Sequence, residues 1–195
     1  IRAICAGFTD VMFDGSSLCV DENIAITQKV VEAAHAVGVG VEAELGHVGS
    51  GGEYQSYGRQ RKGFTDPATV ERFVAETGVD FLAVAIGTAH GIPQGGDPDI
   101  HLDLLAEIRR RVDIPLVLHG GSGCTEDQFR GAIKGGIAKI NIATDLFRAA
   151  GRDVAAAAGR ENVSYHGLIR VARESFAARC AYHFDLFGAS GKAIT

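Results

Sequence analysis

Five short runs of mostly apolar residues, at 11–13, 39–45, 81–86, 116–118 and 139–142, alternate with longer stretches of helical periodicity. This alternation constrains the fold more than any other feature. Runs that are apolar at nearly every position, or alternate only partly, suit parallel strands covered by helices. Parallel neighbours need a crossover connection, and each stretch between runs is long enough to supply one helix.

Several of these helical stretches have readable ends. Residues 23–37 stop at Gly38, a residue suited to the left-handed backbone just past a helix. Thr65-Asp66-Pro67 supplies an N-cap followed by proline in the first turn, and that helix should run to Gly78. Residues 102–112 are halted by Pro115. Thr125-Glu126-Asp127-Gln128 has the form of a capping box, opening a helix that closes at Gly135-Gly136. Residues 145–158 and 164–187 give the last two helices, and 1–6 a short first one. The expected class is α/β with a parallel sheet, one domain over 1–195. A doubly wound open sheet and part of a (β/α)8 barrel both fit, a whole barrel needing eight strands and about 250 residues.

With 46% hydrophobic and 22% charged residues in 195, the composition is that of an ordinary soluble globular domain. A net charge of −5 leaves no electrostatic footprint for nucleic acid or an anionic membrane, and the basic cluster from Arg59 to Lys62 is too short to change that. No apolar run approaches the ~18 residues of a membrane span. Cys5, Cys19, Cys124 and Cys180 are scattered without a C-x-x-C pair, which argues against a disulfide framework or a structural zinc site and for a reducing cytoplasm. The opening Ile1-Arg2-Ala3-Ile4 lacks the basic and apolar regions of a signal peptide and does not read as a natural start.

The polar residues at the strand ends separate the two architectures. Asp14, Glu42 with Glu44, Thr88 with His90, His119, and Asn141 with Thr144 place a group capable of binding or catalysis at the end of every run. A barrel carries its site on that face, whereas a doubly wound sheet concentrates it at one switch point beside a G-x-G-x-x-G turn, absent here. Glu42 and Glu44 alternate with apolar neighbours, so both point to one face, where an inward acid must be paired or bind a metal. His90 and His119, one βα unit apart, could hold a divalent metal with a nearby carboxylate, or could be hydrogen-bonded structural residues. The run from His119 to Gly123 enters a capped helix, and the run from Asn141 to Thr144 opens the next. Both suit an anion, although a glycine run also simply makes a tight turn. The long polar segment 46–63 offers Glu53, Tyr54, Tyr57 and Arg59 to a substrate, or is a solvated loop.

These motifs resemble the class II fructose- and tagatose-bisphosphate aldolases. The resemblance rests on VMFDGS at 11–16 followed by ENIAIT at 22–27, VEAELG at 41–46 and AIGTAHG at 85–91. LVLHGGSG at 116–123, KINIATDL at 139–146 and LFGASGKA at 186–193 complete it. It covers the whole chain in order and selects the barrel, with the five strands as its fourth to eighth and the first three βα units absent. It implies a catalytic zinc with His90 and His119 as two of three histidine ligands, and Glu44 as an alternative metal ligand. It also implies a sugar-phosphate substrate whose dihydroxyacetone phosphate portion lies against Gly91, Gly120, Gly121, Ser122, Asn141, Ile142, Ala143 and Thr144. Glu53 is the nearest candidate for the acid of the family's catalytic loop, though its offset from the glycine pair differs. The third histidine and a catalytic aspartate belong to an H-x-D-H motif that does not occur in the sequence. The 195 residues alone are therefore expected to be inactive. A homo-oligomer is also implied. The rival expectations are a metal-free phosphate-binding isomerase with His90 as acid or base, and a non-catalytic homologue acting as an assembly partner.

Overall fold

The computed structural model describes residues 1–49, 63–91, 98–160, 162 and 164–193. In chain order the elements are α1 (Arg2–Cys5), β1 (Asp10–Phe13), α2 (Val20–His35), β2 (Gly40–Leu45), α3 (Pro67–Thr77) and β3 (Phe81–Val84). They continue with α4 (Leu102–Arg109), β4 (Leu116–Leu118), α5 (Glu126–Lys134), β5 (Ile137–Ile140), α6 (Thr144–Ala158) and α7 (Tyr165–Leu186). The strands form one parallel sheet in the order β1-β2-β3-β4-β5. Strand order never reverses, so right-handed crossovers put successive helices on one face and leave no switch point. This is the winding of a barrel: an α/β architecture of five of its strands.

The core lies between the sheet and those helices. Val41, Ala43 and Leu45 of β2 face Ile24, Val31 and Ala34 of α2, with Val70 and Phe73 of α3 and Leu105 and Ile108 of α4 extending the same layer. The helical residues recur at intervals of three and seven, as one buried stripe requires. Burying an aromatic such as the fully enclosed Phe73 contributes about 1.5–3 kcal/mol.

Several boundaries moved from their expected places. Helix α2 begins at Val20 rather than 23, because Cys19 is extended (φ −67°, ψ 157°) and Asp21 and Glu22 can occupy the first turn, where acids suit the dipole. Strand β3 ends at Val84 rather than 86, because Thr65 takes over the pairing. Its Oγ1 accepts the Ala85 N–H at 2.8 Å and its own N–H donates to the Ala85 carbonyl at 3.0 Å. Helix α4 stops at Arg109, whose guanidinium turns back to the Ile114 carbonyl at 2.8 Å and holds the bend before Pro115. Strand β5 occupies Ile137–Ile140 instead of 139–142, since Gly136 at φ +108° lets it start directly after the helix. The Asp66 cap with Pro67 behind it, the left-handed Gly78 and the Thr125–Gln128 capping box form as expected. Among the described residues no helix is long and apolar enough to cross a membrane, and none of the four cysteines forms a disulfide.

Candidate active site

Glu42 and Glu44 leave β2 on the face turned away from the helices, as their spacing of two dictates. Both are buried. Their shared neighbour is His119, just past β4: Glu42 Oε1 lies 2.8 Å from Nε2, and Glu44 Oε2 lies 2.9 Å from Nδ1. Burial alone would lower the pKa of this imidazole, but the two flanking carboxylates override it and push the value up to about 9. Burial would likewise raise the Glu42 carboxyl. Hydrogen bonds from His119 and Lys139 outweigh that and hold it below the usual glutamate range.

Glu44 is less well satisfied. Its Oε1 accepts the Val48 N–H at 3.3 Å, and among the described residues its Oε2 meets only His119 Nδ1, at 2.9 Å and poorly aligned for a hydrogen bond. A buried carboxylate oxygen with one imidazole as its sole partner needs a cation there, the protonated ring itself or a metal that takes the proton's place. The β2 end carrying it is fixed by Asn23, whose Nδ2 donates to the Glu44 carbonyl at 2.9 Å, with Thr27 bracing Asn23 at 3.0 Å. His90 is exposed, and its ring centroid is 6.0 Å from that of His119. Its backbone N–H donates to the Gly49 carbonyl, tying the ends of β2 and β3 together.

His90, His119 and Glu44 are thus neighbours, but no group of three or more His, Cys, Asp and Glu side chains converges as a closed metal-ligand set among the described residues. Donor chemistry fits a divalent metal: two imidazoles, and a buried carboxylate oxygen that faces one of them. The Thr88 hydroxyl donates to the His119 carbonyl at 2.6 Å, bracing the end of β4.

Beside His90 opens a cavity of about 340 Å³, lined by His90, Gly91, Gly120, Ser122 and the strand-end run 140–144. Seven of the eight residues expected to bind phosphate line it; Gly121 does not, and its N–H is already given to the Asn141 carbonyl at 3.2 Å. Gly120 takes a left-handed φ of +67°, and a Cβ there would sit 2.4 Å from the Ala89 carbonyl oxygen, so only glycine fits. Helix α6 starts at Thr144, and its N-cap, Ala143, supplies no side-chain cap. Ser122 Oγ substitutes from the neighbouring loop, accepting the Asp145 N–H at 3.2 Å. The positive end of a 15-residue helix therefore borders the cavity.

Asp145, in that first turn, would oppose an anion if it were free. Its Oδ2 is instead held by Arg179 Nε at 2.5 Å and His183 Nε2 at 2.8 Å, both from α7. Burial raises its pKa, and the two partners outweigh burial and lower it. Arg179 also stacks over the Tyr182 ring at 4.3 Å, and the Tyr182 hydroxyl donates to Glu126 of α5 at 2.7 Å. None of this clamp is foreseeable from local motifs, because its members lie 34 and 38 positions apart. Lys139, the ammonium partner of Glu42, was missed for the same reason. Glu53, Tyr54, Tyr57 and Arg59 lie outside the described residues.

Residues 1–192 match the family described as class-II fructose-bisphosphate aldolase. The chain belongs to that family. It is 38% identical over 187 residues to YdjI, an uncharacterized protein of Escherichia coli (strain K12), covering 96% of this chain and 66% of YdjI. The crystal structure of the YdjI aldolase superposes with a TM-score of 0.82 at 36% identity, over 99% of this chain and 65% of that one. Fructose-bisphosphate aldolase of Campylobacter jejuni, at 22% identity and a TM-score of 0.74 over 96% of this chain and 63% of that one, shares the fold. The chain thus spans just under two thirds of the length of the relatives it matches. A class II aldolase sheet with five consecutive barrel strands is what the winding order describes.

Proposed function

We propose that the chain serves a metal-dependent aldolase that cleaves or forms a ketose 1,6-bisphosphate, with dihydroxyacetone phosphate as the three-carbon half. The observation that carries this reading is the junction of two features on one rim. His90 lines the cavity and leads through its neighbour His119 to Glu44, while Gly120, Ser122 and the N-terminus of α6 line the same cavity. A phosphate seated at α6 would present the adjoining carbons of a short sugar to the donor side.

His90, His119 and Glu44 would hold the metal, zinc by the donor set. Such a metal supplies a Lewis acid for the substrate carbonyl. The Ser122 hydroxyl, having accepted the Asp145 N–H, keeps its proton to donate to a phosphate oxygen. Arg179 and His183 keep the Asp145 charge engaged away from that phosphate. Family membership supports the aldol reaction, and the cavity supports the phosphate. Glu53 would act from the segment after β2 as an acid or base toward the substrate.

The test is cleavage of fructose and tagatose 1,6-bisphosphates by the intact protein, before and after chelator treatment and again with zinc restored. Chelator-sensitive release of dihydroxyacetone phosphate is expected with at least one of the two. Full activity in protein stripped of metal would overturn the reading in favour of a metal-free mechanism.

A further inference from the structure

Glu42 does not belong to the ligand set named above, yet it is the best-satisfied acid on the open face. Its Oε1 takes His119 Nε2 at 2.8 Å and its Oε2 takes Lys139 Nζ at 2.8 Å. The carboxylate is buried, as is His119, while Lys139 is half exposed. A single side chain therefore couples β2, the end of β4 and β5.

Each oxygen of Glu42 has one task, and the consequence for His119 is chemical. An imidazole nitrogen that donates to a carboxylate carries the proton, so in the neutral ring Nδ1 holds the only available lone pair. Nδ1 is the atom that faces Glu44 Oε2, at 2.9 Å. At 2.9 Å the lone pair and the carboxylate oxygen are close enough for one divalent cation to take both. Carboxylates in this second position commonly orient a metal-binding histidine and select its tautomer.

We propose that Glu42 is a positioning residue that presents His119 to a divalent metal through Nδ1, with Lys139 anchoring the carboxylate so that it does not itself turn to the metal. This rests on the metal-dependent reading above and adds to it the coordinating atom and the residue that enforces it. Glu44 lacks such an anchor: its Oε2 faces only the His119 ring among the described residues, whereas Glu42 Oε2 is held by Lys139.

The experiment is a zinc titration of the intact protein against a competing chelator, with folding followed by circular dichroism. Wild type, Glu42→Gln and Glu42→Ala are compared. Gln retains an acceptor for the Nε2 proton but loses the charge, so affinity should fall in the order wild type, Gln, Ala, with Ala about 10–100-fold weaker. Nitrogen-15 spectra of histidine-labelled, zinc-loaded wild type provide a readout that needs no variant. They should show His119 protonated at Nε2 and metal-bound at Nδ1. Failure of wild type to take up zinc would overturn the metal-dependent reading itself. Zinc uptake by wild type with His119 coordinating through Nε2, or with folded Glu42→Ala binding zinc as tightly as wild type, would overturn the role of Glu42 and leave that reading standing.

Discussion

The hydroxyl oxygen of Ser122 and the backbone N–H of Asp145 meet at 3.2 Å, joining the loop after β4 to the first turn of α6. Ala143, the N-cap, cannot satisfy an orphan donor itself, so the helix borrows a cap from its neighbour. The borrowed cap lines the cavity, which makes one hydroxyl both a brace for α6 and a donor for an anion.

Ser122→Ala should therefore cost in two measurements. Loss of the cap is expected to lower stability by about 0.5–2 kcal/mol in thermal or denaturant unfolding. Loss of the donor should weaken inorganic phosphate binding about tenfold, read by calorimetric titration. Phosphate affinity equal to wild type would reduce Ser122 to the bracing role alone.

Gly120→Ala and Gly91→Ala form a matched pair. Both glycines have left-handed backbone, φ +67° and +90°, so both variants carry a strain of about 1–2 kcal/mol. At Gly120 the new Cβ strikes the Ala89 carbonyl oxygen at 2.4 Å; at Gly91 nothing among the described residues lies within 4 Å. Gly120→Ala should lose more stability than Gly91→Ala in urea unfolding, and also phosphate affinity. Equal losses would mean that the close approach of the two loops relaxes at no cost.

Asp145→Asn should give a pH-dependent deficit. Arg179 and His183 hold the folded carboxyl below its unfolded value, so the ionised form stabilises the fold above the unfolded pKa near ~3.9. That stability is lost as pH falls through the lower, folded pKa. The variant should be about 1–3 kcal/mol less stable than wild type at pH 7, the worth of a charged hydrogen bond. The gap should persist to about pH 5 and close as the solution is acidified below about pH 4. A gap that stays constant down to pH 2 would assign the loss to packing instead of charge.

Residues 1–195 expressed alone should cleave ketose bisphosphates at less than the roughly 1 per second at the low end of ordinary enzymes. Among the described residues β1 and β5 are the sheet edges, and Met12 on β1 is exposed at 42%. Beyond β1, the apolar groove of Ile4, Val11, Phe13, Ile26 and Val30 is open. Unpaired parallel edges and apolar grooves favour association between copies over a settled site. Steady-state assays with added zinc, run beside light scattering, would check both halves. Monomeric protein turning over at ordinary rates would show that the residues named here suffice for catalysis.

Local rules written in the sequence determined the element types and their order. They also fixed the Asp66 and Thr125 caps, the alternation that puts Glu42 and Glu44 on one face, and the strand-end runs that line the cavity. Each depends on neighbours within a few positions, where backbone sterics and side-chain spacing act directly. Only the tertiary structure decided which partners those side chains found. Glu42 meets His119 and Lys139 across 77 and 97 positions, and Asp145 meets Arg179 and His183 from another helix. Gly121 spends its N–H on Asn141, so one residue of the expected phosphate loop turns inward. Strand periodicity dictates the face to which a side chain points, but the winding of the sheet determines what stands opposite, and that pairing decides which groups remain free for chemistry.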